Sequence, residues 1–192
     1  MKPILNKKDM KINISKAQEI LKNGDLVIFP TETVYGLGGN ATNNNAINKI
    51  YKIKNRPYNN PLICHFKNIQ NIEENFFFND VSYKLAKKFW PGPLTLILEK
   101  KESSNICSEL SNQNKFVGCR IPNNSIALEL LNNISFPIAA PSANISTKLS
   151  ATKINHLSKK LKDNIFLLDG GKCLYGLEST VIKANNNISK IL

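Results

Sequence analysis

Two short polar clusters, far apart in the chain, carry its clearest chemical suggestion. Lys54 and Arg56 precede Pro57 and Asn59-Asn60-Pro61, while Ser142 and Asn144 follow Ala139-Ala140-Pro141. Arg presents a planar fork that holds phosphate oxygens in pairs, Lys adds a compact point charge, and Ser and Asn can both donate to an oxyanion. Each cluster also has a plain structural alternative. Most basic side chains are simply solvated, and a Ser or Asn past a strand often caps a turn or helix. Position argues for chemistry, because both clusters fall where a regular element gives way to a turn, and open α/β sheets bind ligands beyond the carboxyl ends of their strands.

Other residues with chemical capacity lie close to such turns. The stretch Pro30-Thr31-Glu32-Thr33-Val34-Tyr35-Gly36-Leu37-Gly38-Gly39 leaves an apolar run and combines small polar or acidic side chains with three glycines. It reads either as a glycine-rich turn or as backbone that can approach a ligand closely. It fits neither the P-loop pattern nor the dinucleotide fingerprint. His65, inside Leu62-Ile63-Cys64-His65-Phe66, reads as a hydrogen-bonded core histidine, and His156 as a surface helix residue. Glu32 and Glu178 each stand beside Thr or Ser near a turn and can order neighbouring groups. Cys64, Cys107, Cys119 and Cys173 lack the local pairing of a zinc or redox motif and read as buried reduced thiols. With two histidines and no carboxylate cluster at metal spacing, no dedicated protein-bound metal is expected.

The elements that would position these groups follow from periodicity. Ser15 and Gln18 resemble a capping box, and Ala17, Ile20 and Leu21 give a helical face that Gly24 can end, so a helix is expected over 15–23. Leu26-Val27-Ile28-Phe29 before Pro30 suits a buried strand. A second helix spans 44–54, and Pro57 pushes Arg56 toward extended backbone. If that helix frays at Lys54, both cations can face one ligand. Further strands are expected at 62–66, 94–98, 117–121, 138–140, 165–169 and 180–183, with helices over 81–89, 125–132 and 152–161. Trp90-Pro91-Gly92-Pro93 is a stop. The order is mixed α/β.

With 192 residues and 42% hydrophobic content, the chain suits one domain over 1–192. A net charge of +12 attracts polyanions such as nucleotides and RNA without specifying a fold. The amino-terminal segment carries Lys2, Lys7, Lys8, Asp9 and Lys11 and lacks the apolar core of a signal peptide, so a cytoplasmic location is expected. The runs Asn43-Asn44-Asn45 and Asn185-Asn186-Asn187 read as compositional drift.

Six blocks, taken in order, resemble the YrdC-like threonylcarbamoyl-AMP synthases. They are 30–38, Lys54/Arg56 with Asn60-Pro61-Leu62-Ile63, Trp90-Pro91-Gly92-Pro93-Leu94-Thr95, Arg120-Ile121-Pro122, 140–144, and Gly176-Leu177-Glu178-Ser179-Thr180-Val181, within a core of about 14–182. The resemblance implies a YrdC-like (DHBP synthase-like) fold, a twisted mixed β-sheet with flanking helices around a basic concave cavity. It also implies condensation of L-threonine, bicarbonate or CO2, and ATP into threonylcarbamoyl-AMP with release of diphosphate. The product would supply a tRNA threonylcarbamoyl transferase complex that makes N6-threonylcarbamoyladenosine in tRNAs reading codons that begin with A. ATP would bring Mg2+ with it.

By the same resemblance, Lys54, Arg56, Ser142 and Asn144 are the signature catalytic groups. Arg56, Asn60, Ser142 and Ser150 line the ATP site, and Thr33, His65, Arg120, Ala140 and Ser179 surround threonine, which reverses the core reading of His65. Family members usually continue the last strand into an Arg-x-Gly over the nucleotide, whereas this chain ends Lys190-Ile191-Leu192, so a substitute cation or a weaker lid is expected. Two alternatives stand beside this reading. One is a double-stranded-RNA-binding module for ribosome maturation, resting on charge alone. The other is the carbamoyl-adenylate chemistry of hydrogenase maturation proteins, whose zinc-type cysteine repeats this sequence lacks.

Overall fold

The strand Val27–Phe29 (β1) divides the core by its alternation: Val27 and Phe29 face one apolar layer, and Ile28 the other. The computed structural model describes residues 7–111, 115–144, 149–184 and 189–192; Lys2 and Asn185-Asn186-Asn187 lie outside the described residues. Beneath Val27 and Phe29 pack the helices Lys7–Lys22 (α1) and Ser125–Asn132 (α5), through Ile14, Ala17 and Leu21 against Ala127, Leu130 and Leu131. On the side of Ile28 lies Asn44–Lys54 (α2), with Ala46, Ile47, Ile50 and Tyr51 buried, and the same core continues to the helix Asp80–Phe89 (α4) through Ala86.

Between these layers runs a mixed sheet. In chain order its other strands are Gly36–Asn40 (β2), Ile63–His65 (β3), Phe76–Phe77 (β4), Leu94–Lys100 (β5), Phe116–Arg120 (β6), Ile138–Ala140 (β7), Phe166–Leu167 (β8), Thr180–Ala184 (β9) and Ser189–Ile191 (β10). Spatially the order is β10-β9-β5-β6-β3-β7-β2-β1-β8, with β4 beside β5. The pairs β3/β6, β5/β9 and β1/β8 are parallel and the others antiparallel. Two short helices, Ile69–Asn75 (α3) and Lys159–Asn164 (α6), complete the described α-helices. This is the mixed α/β architecture expected from the sequence.

Three local expectations change. The helix placed at 15–23 begins at Lys7, and Gln18 is not a capping residue: it is buried, and its Nε2 donates to the carbonyls of Glu129 and Leu130, both at 3.2 Å, docking α1 on the end of α5. Gly24 does end the helix, at φ +76°. The glycine-rich stretch divides: residues 32–34 form the expected turn, closed by Thr31 N donating to the Val34 carbonyl at 3.3 Å, but its glycines lie in a fully buried strand, β2. A Cβ at Gly38 would lie 2.7 Å from both Phe29 and Ile138, so the missing side chain lets β2 sit flat under its neighbours. The single helix expected over 152–161 is a short 3-10 turn, Ile154–His156, followed by α6. Leu157 is extended, and Ser158 caps the new helix through the amide of Leu161.

Candidate active site

Helical phase decides where the first cluster points. Lys54 continues the buried face of α2 one turn beyond Ile50 and Tyr51, and it is 2% exposed. The helix does not fray there. Asn55, at φ 49°, takes the left-handed C-cap conformation, its amide reaching the carbonyls of Tyr51 and Lys52, and so turns the chain before Arg56. The two cations consequently separate: Lys54 lies behind the wall of a cavity, whereas Arg56 lines it.

Lys54 Nζ donates to the carbonyl of Ser142 and, at 3.0 Å, to Asn144 Oδ1. An ammonium can only donate, so the contacted atom of Asn144 must be its oxygen, and Ser142 Oγ in turn donates to that oxygen at 2.7 Å. The serine proton is therefore engaged with Asn144, leaving Ser142 Oγ to offer lone pairs to the cavity that Ser142 lines. Burial and the nearby Arg56 charge push the Lys54 pKa down to about 8, with Glu178 opposing. Arg56 is held from the loop that follows: its Nε donates to the Asn60 carbonyl at 2.8 Å, and its Nη2 donates to Asn60 Oδ1 at 2.6 Å and the Pro61 carbonyl at 3.1 Å. Asn60 thus sets the cation's aim.

The opposite wall is drier. His65 projects from β3 at 4% exposure with Phe29 edge-on to its ring at 5.8 Å, and its Nδ1 makes no well-directed hydrogen bond among the described residues. Burial first, and the Arg120 charge second, push its pKa down to about 3, so the imidazole is neutral at ordinary pH. Arg120, at the end of β6, donates from Nε to the Gly92 carbonyl at 3.2 Å and from Nη1 to Thr33 Oγ1 at 2.9 Å, while Nη2 lies 2.7 Å from Glu32 Oε1. Thr31 Oγ1 donates to the Val34 carbonyl at 2.6 Å, so in its 2.9 Å contact with Thr33 the latter hydroxyl is the donor. Protons therefore run one way, from Arg120 through Thr33 and Thr31 to Val34.

These walls enclose about 180 Å³. Seven residues to which the sequence assigned ligand-binding or catalytic roles line it: Thr33, Arg56, His65, Arg120, Ala140, Ser142 and Ser179. Ser179 is linked to Thr95 at 2.7 Å, and Ser150 donates to Glu178, which also lines the cavity. Lys54, Asn60, Asn144 and Ser150 act one contact further out. Sequence reasoning passed over Thr31 and the Gly92 carbonyl. The signal for Gly92 was the Trp90-to-Pro93 stop, whose backbone is fixed by Gly92 N donating to the Ile121 carbonyl at 2.8 Å. Among the described residues no group of His, Cys, Asp and Glu could hold a metal ion, and no helix is long and apolar enough to cross a membrane.

The Sua5/YciO/YrdC family model, described as "Telomere recombination", matches residues 19–192. The chain belongs to this family. Members of Sua5/YciO/YrdC at useful similarity include the threonylcarbamoyl-AMP synthase of Bacillus subtilis, 41% identical over 93% of this chain and 52% of that protein. A Methanocaldococcus jannaschii relative is 37% identical over 95% of this chain and 86% of its own length. Among solved structures, Pyrococcus abyssi Sua5 complexed with L-threonine superposes with a TM-score of 0.88 at 41% identity, covering 93% of this chain and 53% of that one. The chain thus spans about half the length of the Bacillus and Pyrococcus proteins.

Proposed function

We propose that this protein is a threonylcarbamoyl-AMP synthase, condensing L-threonine, CO2 or bicarbonate, and ATP with release of diphosphate. The observation that carries the reading is the junction, in one cavity, of a buried arginine wall suited to a carboxylate with a half-buried arginine lip suited to phosphates. Relatives bearing that activity in their names, and the Pyrococcus protein complexed with L-threonine, support it.

On this reading the threonine carboxylate meets the guanidinium of Arg120, and Thr33, as acceptor, takes an N–H of the amine. The amine loses a proton to solvent and forms a C–N bond to CO2, and the N-carboxylate oxygen then attacks the α-phosphorus as the bond to diphosphate breaks. Two anions must meet, so positioning and charge compensation dominate the barrier. Arg56, held by Asn60, faces the phosphates, while Lys54 fixes Ser142 and Asn144 from behind. Magnesium would travel with ATP and be held mainly by its phosphates, since Glu178 is the sole carboxylate among the described residues lining the cavity. The product would pass to a tRNA threonylcarbamoyl transferase complex in the cytoplasm.

The test is diphosphate release from purified protein given threonine, bicarbonate, magnesium and ATP, with each component withheld in turn. Release that requires all of them supports the proposal; release indifferent to threonine overturns it.

A further inference from the structure

Arg120 does not reach the cavity as a bare charge. Its side chain is 4% exposed and meets Glu32, 2% exposed, at 2.7 Å. Glu32 is absent from the residues lining the cavity, so it approaches the guanidinium from behind, while Arg120 itself lines the wall. Neither carboxylate oxygen of Glu32 makes a well-directed hydrogen bond among the described residues. The carboxylate is therefore no hub for backbone or hydroxyl groups; what it supplies is charge. Its own backbone is tied down, with the Glu32 carbonyl accepting from Tyr175 N at 2.9 Å and the next carbonyl, of Thr33, accepting from Gly176 N at 3.0 Å.

A desolvated, uncompensated guanidinium attracts any small anion that can reach it. The proposed chemistry is crowded with anions: ATP, bicarbonate and diphosphate. A guanidinium already paired from behind exerts a weaker field and leaves only its remaining N–H directions to select a ligand. A planar carboxylate fits those directions, and the ammonium carried by the same ligand adds charge of the opposite sign. A spherical inorganic anion has neither advantage.

We propose that Glu32 is a positioning residue, a counter-ion behind Arg120 that lets the cavity accept an amino acid's carboxylate while turning away small inorganic anions. The idea rests on the cavity being an amino-acid site.

The experiment compares the intact protein with Glu32→Gln in potassium chloride and potassium gluconate at equal ionic strength, so that screening is matched and only chloride binding differs. Without threonine, the unfolding temperature of Glu32→Gln rises with chloride while that of the unsubstituted protein does not. By calorimetry, high chloride weakens threonine binding to Glu32→Gln by about fivefold or more, as expected for competition, against less than about twofold for the unsubstituted protein. Glu32→Asp, which keeps the charge, behaves like the latter. A purely architectural glutamate would lower stability equally in both salts, and that result overturns the proposal. Should Glu32→Gln fail to fold, the unsubstituted protein decides: strong chloride competition against threonine overturns the idea, and indifference supports it. If threonine binds under no condition, the amino-acid reading fails, whereas the chloride response of the unfolding temperature still judges the counter-ion.

Discussion

The two sides of the cavity are built on different principles. The Arg120 side is dry: an ion pair with both members almost fully buried, a neutral histidine and a one-way chain of hydroxyls. The Arg56 side is wet. Its half-buried cation is held by the Asn60 side chain and two backbone carbonyls of an exposed loop, and the half-buried Ser150 donates to the exposed Glu178 at the rim. Buried charges demand fixed partners, which gives discrimination at the expense of stability if one partner is lost; exposed charges tolerate rearrangement. On the proposed reading the first side would select a small zwitterion and the second would admit and release a large nucleotide, and those tasks have opposite needs.

The largest effect should come from breaking the dry side. Arg120→Met leaves Glu32 buried without its partner and should remove about 3–5 kcal/mol of stability in urea denaturation, while Arg120→Met with Glu32→Gln recovers much of that loss. Equal losses in the single and double variants would mean that packing, and not charge, sets the cost. On the wet side, Arg56→Ala should leave stability nearly intact and lower diphosphate release by about a hundredfold, roughly 3 kcal/mol in the transition state. Lys54→Met should match it in kcat, because Asn144 and Ser142 lose their anchor. Near-normal turnover in both variants would refute the assignment of these cations.

Acid should also separate the two sides. His65 is held neutral in the fold down to about pH 3, whereas its unfolded form takes up a proton near pH 6.5. Its folded pKa is depressed, so its contribution to stability is complete above about 6.5 and is lost as pH falls toward 3, by about 1.4 kcal/mol per pH unit within that window. His65→Gln should flatten this part of the stability profile, and an unchanged slope would assign the acid sensitivity elsewhere. The smallest effect is Asn60→Ala: one charge-assisted bond to Arg56 disappears while two carbonyl contacts remain, so the KM for ATP should rise by about tenfold with little change in the KM for threonine.

Much of the architecture was legible because its signals are local. The apolar face of α2, the strand at 138–140, the helix at 125–132 and the stop after Phe89 all appear where periodicity and proline put them. Strand β2 was not legible, because its glycines are dictated by side chains from other elements, Phe29 and Ile138 at Gly38 and Leu26, Ala46 and Ile50 at Gly39. Gln18 misled for a related reason, since its local pattern matches a cap while its partners lie on α5. In the site, the residue types of both cation clusters were readable, yet their division of labour was not. Asn55 turns Arg56 into the wall and leaves Lys54 beneath it.

Residue chemistry and helical or strand phase depend on near neighbours, so the sequence by itself settled which side chains could bind anions and which faces would be buried. Direction and charge state depend on what arrives from across the sheet. Only the tertiary structure could decide that Arg120 carries Glu32 at its back, that His65 stays uncharged and that the Ser142 proton faces Asn144, because each outcome is a balance of desolvation against a partner distant in the chain.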